Sequence, residues 1–408
     1  MPALDQYFRD MVTKNASDFH LSSGNTPTFR MGGTITTVGK EILTADAVKS
    51  LIYEILPERN RVEWEQCHDT DFAYDLGGAA RFRCNVFADR HGIGAVFRLI
   101  PSKISTFKEL GLPDTIKKLC FLQKGLVLIT GPTGSGKSTT LAALINFINE
   151  HRTDHIITIE DPIEFVHPNK KCLINQREVH SHTDGFKRAL RAALREDPDI
   201  VLVGEMRDVE TVAIALETAE TGHLVFGTLH TNSAHMTVDR LINQFPADEQ
   251  PQIRTSLAEG LKGVISQTLC KKKDGGRVAA LEILMGSYAL SANIREGKLQ
   301  QIPNFIQMGR KEGMCSLNDS LLDLVSKDVV EPAEAYQRAI AKEEFLKRMG
   351  SLPNCRSPEG KPWTEEELLK AVEGAEAASA GNGDGNGSTP QTPAERAAAY
   401  RVPELVVN

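Results

Sequence analysis

The sequence predicts an α/β fold: buried strands alternating with helices, entered through a glycine-rich loop and preceded by a smaller α+β domain. Three observations predict it. From Gly125 onward the apolar segments Leu126–Thr130, His155–Glu160, Ile200–Glu205 and Leu224–Thr228 are separated by helical stretches. That is the alternation of a mostly parallel sheet covered by helices. The run Gly131-Pro132-Thr133-Gly134-Ser135-Gly136-Lys137-Ser138 follows the first of these strands and opens a helix near Lys137. The first hundred residues instead mix short strands with two helical segments.

Taken in order, residues 2–14 set Leu4, Phe8 and Met11/Val12 at helical spacing. Asp18–Leu21, Thr28–Met31 and Thr34–Thr36 read as short strands joined by Gly and Asn turns. Residues 44–56 return to helix, started by Thr44 and stopped by Pro57. Strands follow over Asp71–Asp75, Arg81–Ala88 and Gly94–Leu99, separated by Gly77-Gly78 and His91-Gly92. Residues 1–100 form this domain and 101–124 a linker with a helix near 113–122. The core runs over 125–349. Past residue 250 the pattern is largely helical, over 251–266, 287–296, 316–326 and 332–347. Lys271–Arg277 interrupts it as a charged hairpin-like loop leading into a strand at Val278–Ile283. Residues 350–408 are expected to be a disordered tail, because 375–394 is rich in Gly, Ala, Asn, Ser and Thr and cannot form a core. A short acidic helix is expected over 364–378.

Composition narrows the function. At 408 residues, 41% hydrophobic and 25% charged, the chain can bury a sizeable core in two domains plus appendages. A net charge of −7 argues against a surface built throughout to hold nucleic acid. Seven cysteines are scattered singly with no Cys-x-x-Cys pair, which reads as reduced thiols in a cytoplasmic protein. The N-terminus carries charges where a signal peptide needs an apolar core, and no apolar run approaches bilayer length. Membrane association must then come from a partner.

The glycine-rich run matches the phosphate-binding P-loop completely, in the strand-then-helix context that the motif requires. Its glycines let backbone N–H groups converge on phosphate oxygens, and the helix N-terminus adds a favourable dipole. Residues Gly131, Pro132, Thr133, Gly134, Ser135, Gly136, Lys137, Ser138 and Thr139 are therefore expected to hold ATP. Lys137 would reach the outer phosphates, and the Ser138 hydroxyl would ligate Mg2+. Hydrolysis also needs carboxylates at neighbouring strand ends. Ile157–Glu164 ends a strand in an acidic turn, with Pro162 blocking continued pairing, and Asp199–Glu205 is an apolar run ending in an acid. Glu160 and Glu205 are the candidates, whereas Asp161 and Glu164 serve either chemistry or simple capping and ion pairing.

A further strand ends in Thr228, His230 and Thr231, which either sense the γ-phosphate or only satisfy their loops. His223 reads as a tether to neighbouring backbone. Arg81 and Arg83 flank Phe82 in a strand, so both can face one side while Phe82 packs inward. Arg240 lies just beyond the histidine segment, and Arg191, Arg195 and Arg207 bracket the second acidic strand. Guanidinium groups suit phosphate contacts and transition-state charge, but each of these also reads as a surface ion-pair partner.

Together these motifs resemble the type IV pilus retraction ATPases (PilT-like) of the secretion ATPase superfamily, over residues 1 to about 349. The likeness rests on Ala16–Leu21, Arg81-Phe82-Arg83, the P-loop, the acidic box Ile159–Glu164, the segment Arg195–Asp208 and the histidine box Thr221–Ala234. It implies a PAS-like N-terminal domain, a RecA-like ATPase core and a homohexameric ring with nucleotide between the domains. It further implies that Glu160 polarises the attacking water and Glu205 serves the magnesium shell. Arg81 and Arg83 would close onto phosphate, Arg240 would share in that stabilisation, and His230 would report phosphate occupancy. Partners would be other copies of the chain, an inner-membrane pilus platform protein and, as a further candidate, a paralogous retraction ATPase. Location would be cytoplasmic, peripheral to the membrane through the pilus machine.

The chain lacks the longer N-terminal region and four-cysteine zinc insertion usual in assembly ATPases of the superfamily, which disfavours extension or secretion. Asn293-Ile294-Arg295-Glu296 approximates the C-terminal box of the retraction motors. The alternatives are an accessory retraction ATPase of the PilU type and, in other classes, a nucleic-acid translocase or a non-enzymatic nucleotide sensor. The intact lysine, both glutamates and the arginines argue against the last, and no nucleic acid is expected as a partner.

Overall fold

The structure, a computed structural model, describes residues 2–101, 103–352, 355, 357 and 361–372. Among these described residues, those up to Leu321 form one compact unit and those from Leu322 a second.

The first unit begins with a six-stranded antiparallel sheet. Its strands are β1 (Asp18–Ser22), β2 (Thr28–Met31), β3 (Thr34–Thr37), β4 (Asp69–Asp75), β5 (Arg81–Asp89) and β6 (Gly92–Ile100), in the order β3-β2-β1-β6-β5-β4. One face is apolar with period two: Phe82, Cys84 and Val86 of β5 point inward, while Arg83 is exposed. Helix Leu4–Thr13 lays Leu4, Phe8 and Met11 on that face, and Phe8 stacks on Phe82 with ring centroids 4.4 Å apart. Helix Ala45–Tyr53, capped by the Thr44 hydroxyl, adds Val48 and Ile52. A further helix, Glu58–Cys67, was not expected. Among its residues only Trp64 is buried, so it shows no apolar period in the sequence.

A seven-stranded sheet follows: β7 (Gly125–Thr130), β8 (His155–Glu160), β9 (Leu173–Glu178), β10 (Ile200–Val203), β11 (Leu224–Leu229), β12 (Leu261–Lys271) and β13 (Arg277–Met285). The order is β13-β12-β7-β11-β10-β8-β9, parallel except for the β12–β13 hairpin. Both faces are covered. Val127 and Ile129 of β7 pack with the helix Lys137–His151, and Leu126 and Leu128 pack with the helices Val209–Glu220 and Gln250–Gly260 on the other side. Strands buried on both faces show no alternation, and this accounts for one error in the sequence reading. Residues 251–266 are not one helix: the helix ends at Gly260 and the chain enters β12 directly. Its apolar residues 261, 264 and 265 carry a spacing that suits a helix as well as a doubly covered strand.

Strand β9 was also unexpected. Its leading loop is fixed by Asn149, buried on the helix after the P-loop. The Asn149 side chain accepts hydrogen bonds from the backbone N–H groups of Lys170 and Cys172 and donates to the Pro168 carbonyl. That bonding brings β9 alongside β8.

In the second unit, the expected helix over 332–347 is two helices, Pro332–Arg338 and Lys342–Met349, because Ala339 is extended with ψ 140°. Tyr336, Phe345 and Met349 are buried, and the Tyr336 hydroxyl donates to Glu365 at 2.6 Å. Residues 365–372 are helical. The rest of the helix expected over 364–378 and most of the tail expected over 350–408 lie outside the described residues. No helix among the described residues is long and apolar enough to cross a membrane.

Candidate active site

Parallel strands deliver their carboxyl ends to one edge of the sheet, where ligands of open α/β sheets bind. Here β7 ends in the P-loop, β8 in Glu160, β10 in Gly204-Glu205 and β11 in His230. Because β11 lies between β7 and β10, His230 emerges between the loop and Glu205.

The P-loop turns sharply: Gly131, Gly134 and Gly136 have φ of 146°, 77° and 87°. Gly131 is also a close approach, since a Cβ there would lie 2.3 Å from the Gln267 carbonyl oxygen. Gln267, on β12, braces the loop by donating its side-chain amide to the Ser135 carbonyl at 2.6 Å. The Lys137 ammonium is held by the carbonyls of Gly131 (3.0 Å) and Pro132 (3.1 Å). Partial burial lowers its pKa, and the charges of Glu205 and Glu164 oppose that shift. A cation whose hydrogen bonds among the described residues go to neutral carbonyls, in a partly dry site, is a ready anion receptor. Gly131→Ala is therefore expected to abolish nucleotide binding, whereas Gly134→Ala, with open space around it, costs about 1 kcal/mol of strain. Binding of a fluorescent ATP analogue to the two variants separates them.

Glu160 and Glu205 sit in different environments. Burial raises the pKa of Glu160, against hydrogen bonds from Thr158 (2.6 Å) and Gln176 (3.1 Å). For Glu205, burial alone would also raise the pKa. The Arg207 guanidinium at 2.5 Å and His230 Nε2 at 2.9 Å outweigh it, and the net shift is downward. Both partners take Oε1, so Oε2 has no hydrogen-bond or ion-pair partner among the described residues. His230 Nδ1 lies 3.5 Å from the Thr133 hydroxyl, so the imidazole joins Glu205 to the P-loop. Thr228 donates to the Gly204 carbonyl at 2.5 Å, tying the end of β11 to the turn that carries Glu205. His223 bonds the Thr218 carbonyl at 3.1 Å, the backbone tether read from its position.

The arginines are placed elsewhere. Arg81 faces away from Phe82 and pairs with buried Glu178 at 2.8 Å, across from the first sheet to β9. Glu178 also accepts the N–H of Ile163, next to the acidic turn, and the Ser181 hydroxyl. Arg83 is exposed, with Asp71 at 3.8 Å, and lines a cavity of about 450 Å³ with Asp161 and Arg207. Arg240 is exposed, and its guanidinium has no partner among the described residues. No hydrogen bond or ion pair joins any of these three to residues 131–139 among the described residues. Ser138 and Thr139 open the first turn of the helix after the loop, both partly exposed. Sequence reading missed Gln176, Glu178 and Gln267. The alternation of Ile174, Gln176 and Glu178 along β9 is the one local signal that could have found two of them.

Known proteins fit this geometry. The family model for type II/IV secretion system proteins matches residues 1–304. The type IV pilus retraction ATPase PilT of Pseudomonas aeruginosa is 52% identical over 332 residues, which is 81% of this chain and 96% of that protein. The type IV pilus ATPase PilU of the same organism is 36% identical over 336 residues, covering 82% of this chain and 88% of PilU. A crystal structure of the pilus retraction motor PilT with bound ADP superposes with a TM-score of 0.79 at 44% identity, over 85% of this chain and 99% of that one. With homology to PilT across nearly the whole of that protein, and a P-loop NTPase-like core behind a smaller α+β domain, this chain belongs to the type II/IV secretion system protein family.

Proposed function

We propose that this chain is an ATP-hydrolysing motor that powers type IV pilus retraction. The observation that carries the proposal is the convergence of the P-loop, Glu160, Glu205 and His230 at one sheet edge, in a chain 52% identical to a retraction ATPase. The higher identity to PilT than to PilU favours the principal motor over an accessory one. The strand order β12-β7-β11-β10-β8 supports a RecA-like reading of the core, and the helix-backed antiparallel sheet supports a PAS-like reading of the first domain.

In this mechanism the P-loop N–H groups receive the phosphates, and Lys137 exchanges the Gly131 and Pro132 carbonyls for outer phosphate oxygens. Ser138, at a helix N-terminus, and the unpartnered Oε2 of Glu205 fit Mg2+, which prefers a few protein oxygens alongside phosphates and water. The bound ion would neutralise charge that develops on the transferring phosphoryl group. Glu160, raised in pKa yet still hydrogen-bonded as a carboxylate, orients and polarises the attacking water. His230, poised between Thr133 and Glu205, responds to the presence of the γ-phosphate. Arg83 and Arg240, exposed on a single chain, are available to charge supplied from a neighbouring subunit of a homohexameric ring. Arg81 works instead through Glu178, linking the first domain to the acidic turn, so that hydrolysis changes the angle between domains. Around a ring those changes become force on an inner-membrane platform protein. The chain would act from the cytoplasm and reach the membrane through that partner.

Turnover by the purified chain tests the reading against a translocase. Magnesium-dependent ATP hydrolysis that DNA leaves unchanged is expected. Stimulation by DNA, lost at high salt, would move the assignment to nucleic-acid translocation.

A further inference from the structure

Thr158, Glu160, Gln176 and Glu178 lie on one face of the sheet, since Thr158 is the register partner of Gln176 and Glu160 that of Glu178. Gln176 makes three hydrogen bonds there. Its Nε2 donates to the Phe165 carbonyl at 2.8 Å and to Glu160 Oε1 at 3.1 Å, and its Oε1 accepts the His167 N–H at 2.7 Å. A carbonyl on one side and an N–H on the other leave the amide only one orientation, so an N–H must face Glu160. Thr158 donates to the same carboxylate oxygen, and the nearby backbone N–H of Glu164 favours the ionised form. Across from them, β10 presents Gly204, whose missing side chain leaves the Glu160 backbone room: a Cβ there would lie 3.0 Å from the Ile159 carbonyl and 3.2 Å from Glu160 Cα.

We propose that Gln176 is a positioning residue for hydrolysis, its amide locked between Phe165 and His167 so that it fixes the Glu160 carboxylate toward the attacking water. The proposal rests on the reading of Glu160 as the water-polarising group. Gln176 touches neither nucleotide nor water in this scheme and acts only through Glu160. Because Glu178 follows two residues later on the same face and holds Arg81, one short strand carries both the Glu160 support and the link to the first domain.

The charged groups around Glu160 set the expected pH behaviour. Glu164, in the turn after β8, disfavours its ionised form. Glu178 stands opposite on β9 but is neutralised by Arg81, and Asp161 and Arg207 face each other beside the turn. Removing the Gln176 N–H takes away a donor to the carboxylate and leaves burial less opposed, so the Glu160 pKa rises further. The acidic limb of the kcat profile then moves to higher pH, because the working form is the carboxylate.

The test is the pH dependence of ATP turnover by the full chain and by Gln176→Ala, Gln176→Glu, Glu160→Gln and the double variant Glu160→Gln/Gln176→Ala. Gln176→Ala is expected to lower kcat by about tenfold to a hundredfold, with KM for ATP changed less than about threefold. Its acidic limb should move up, and that of Gln176→Glu, which places a second carboxylate beside Glu160, should move further. In the Glu160→Gln background Gln176→Ala should cost nothing more. A lower kcat with an unmoved limb, multiplied unchanged in the Glu160→Gln background, would reduce Gln176 to a structural residue. Should Gln176→Ala fail to fold, Gln176→Glu, which keeps the acceptor for His167, decides by the same limb. Near-normal turnover by Glu160→Gln would instead sink the reading of Glu160 itself.

Discussion

Replacing Glu160 with Gln is expected to cut ATP turnover by about 10²- to 10⁴-fold while nucleotide binding is retained. The substitution keeps the size of the side chain and an oxygen able to accept from Thr158, so the hydrogen bonds at 2.6 Å and 3.1 Å have an isosteric partner. What disappears is the buried negative charge. Burial raises the pKa of that group, so holding it ionised costs folding free energy, and its removal should leave the melting temperature unchanged or higher. A large loss of activity at constant or improved stability is the signature of a charge kept for chemistry. Steady-state turnover, with analogue binding and thermal melting on the same preparation, measures all three.

Lys137→Ala should act one step earlier. Among the described residues the Lys137 ammonium hydrogen-bonds only the loop's own carbonyls, at 3.0 Å and 3.1 Å, so its loss removes no hydrogen bond to the rest of the described chain and the fold should survive. The loop loses the one cation in its sequence that can reach the outer phosphates. Charge-assisted hydrogen bonds are each worth about 1.5–3 kcal/mol, which corresponds to a drop of roughly ten- to a hundredfold or more in ATP affinity. Turnover should fall further, by about 10³-fold or more, because the same charge meets the transition state. Titration with an ATP analogue separates the two variants: Glu160→Gln binds and does not turn over, whereas Lys137→Ala does neither well.

Much of the site was legible because its signals are local. The P-loop is a contiguous run whose glycines and lysine have fixed offsets, and Glu160 and Glu205 end apolar runs that read as strands without any partner in view. The strands of the first domain were legible for another reason: half-buried strands alternate, as Phe82, Cys84 and Val86 do with Arg81, Arg83 and Asn85. Where burial is two-sided or the segment is polar, that signal vanishes. The first part of β12, residues 261–266, read as helix because both its faces are covered, and β9 was invisible because Asn175, Gln176, Arg177 and Glu178 look like a loop. The partner of Arg81 was hidden with it. Arg81 and Glu178 are 97 residues apart, and only the pairing of β9 with β8 brings the acid to the arginine. An arginine assigned to phosphate by resemblance is thus, in one chain, the end of a buried ion pair with its acid nearly inaccessible. Breaking such a pair from one side is costly, which distinguishes Arg81 from exposed Arg83 and Arg240.

Retraction of single pili in cells lacking this gene, rescued with the wild-type chain or with Glu205→Ala, decides whether this chain drives retraction. Cells without the gene should assemble pili that do not retract, and the wild type should restore retraction while Glu205→Ala does not. Retraction that continues unchanged without the gene would contradict the assignment of this chain as the principal retraction motor.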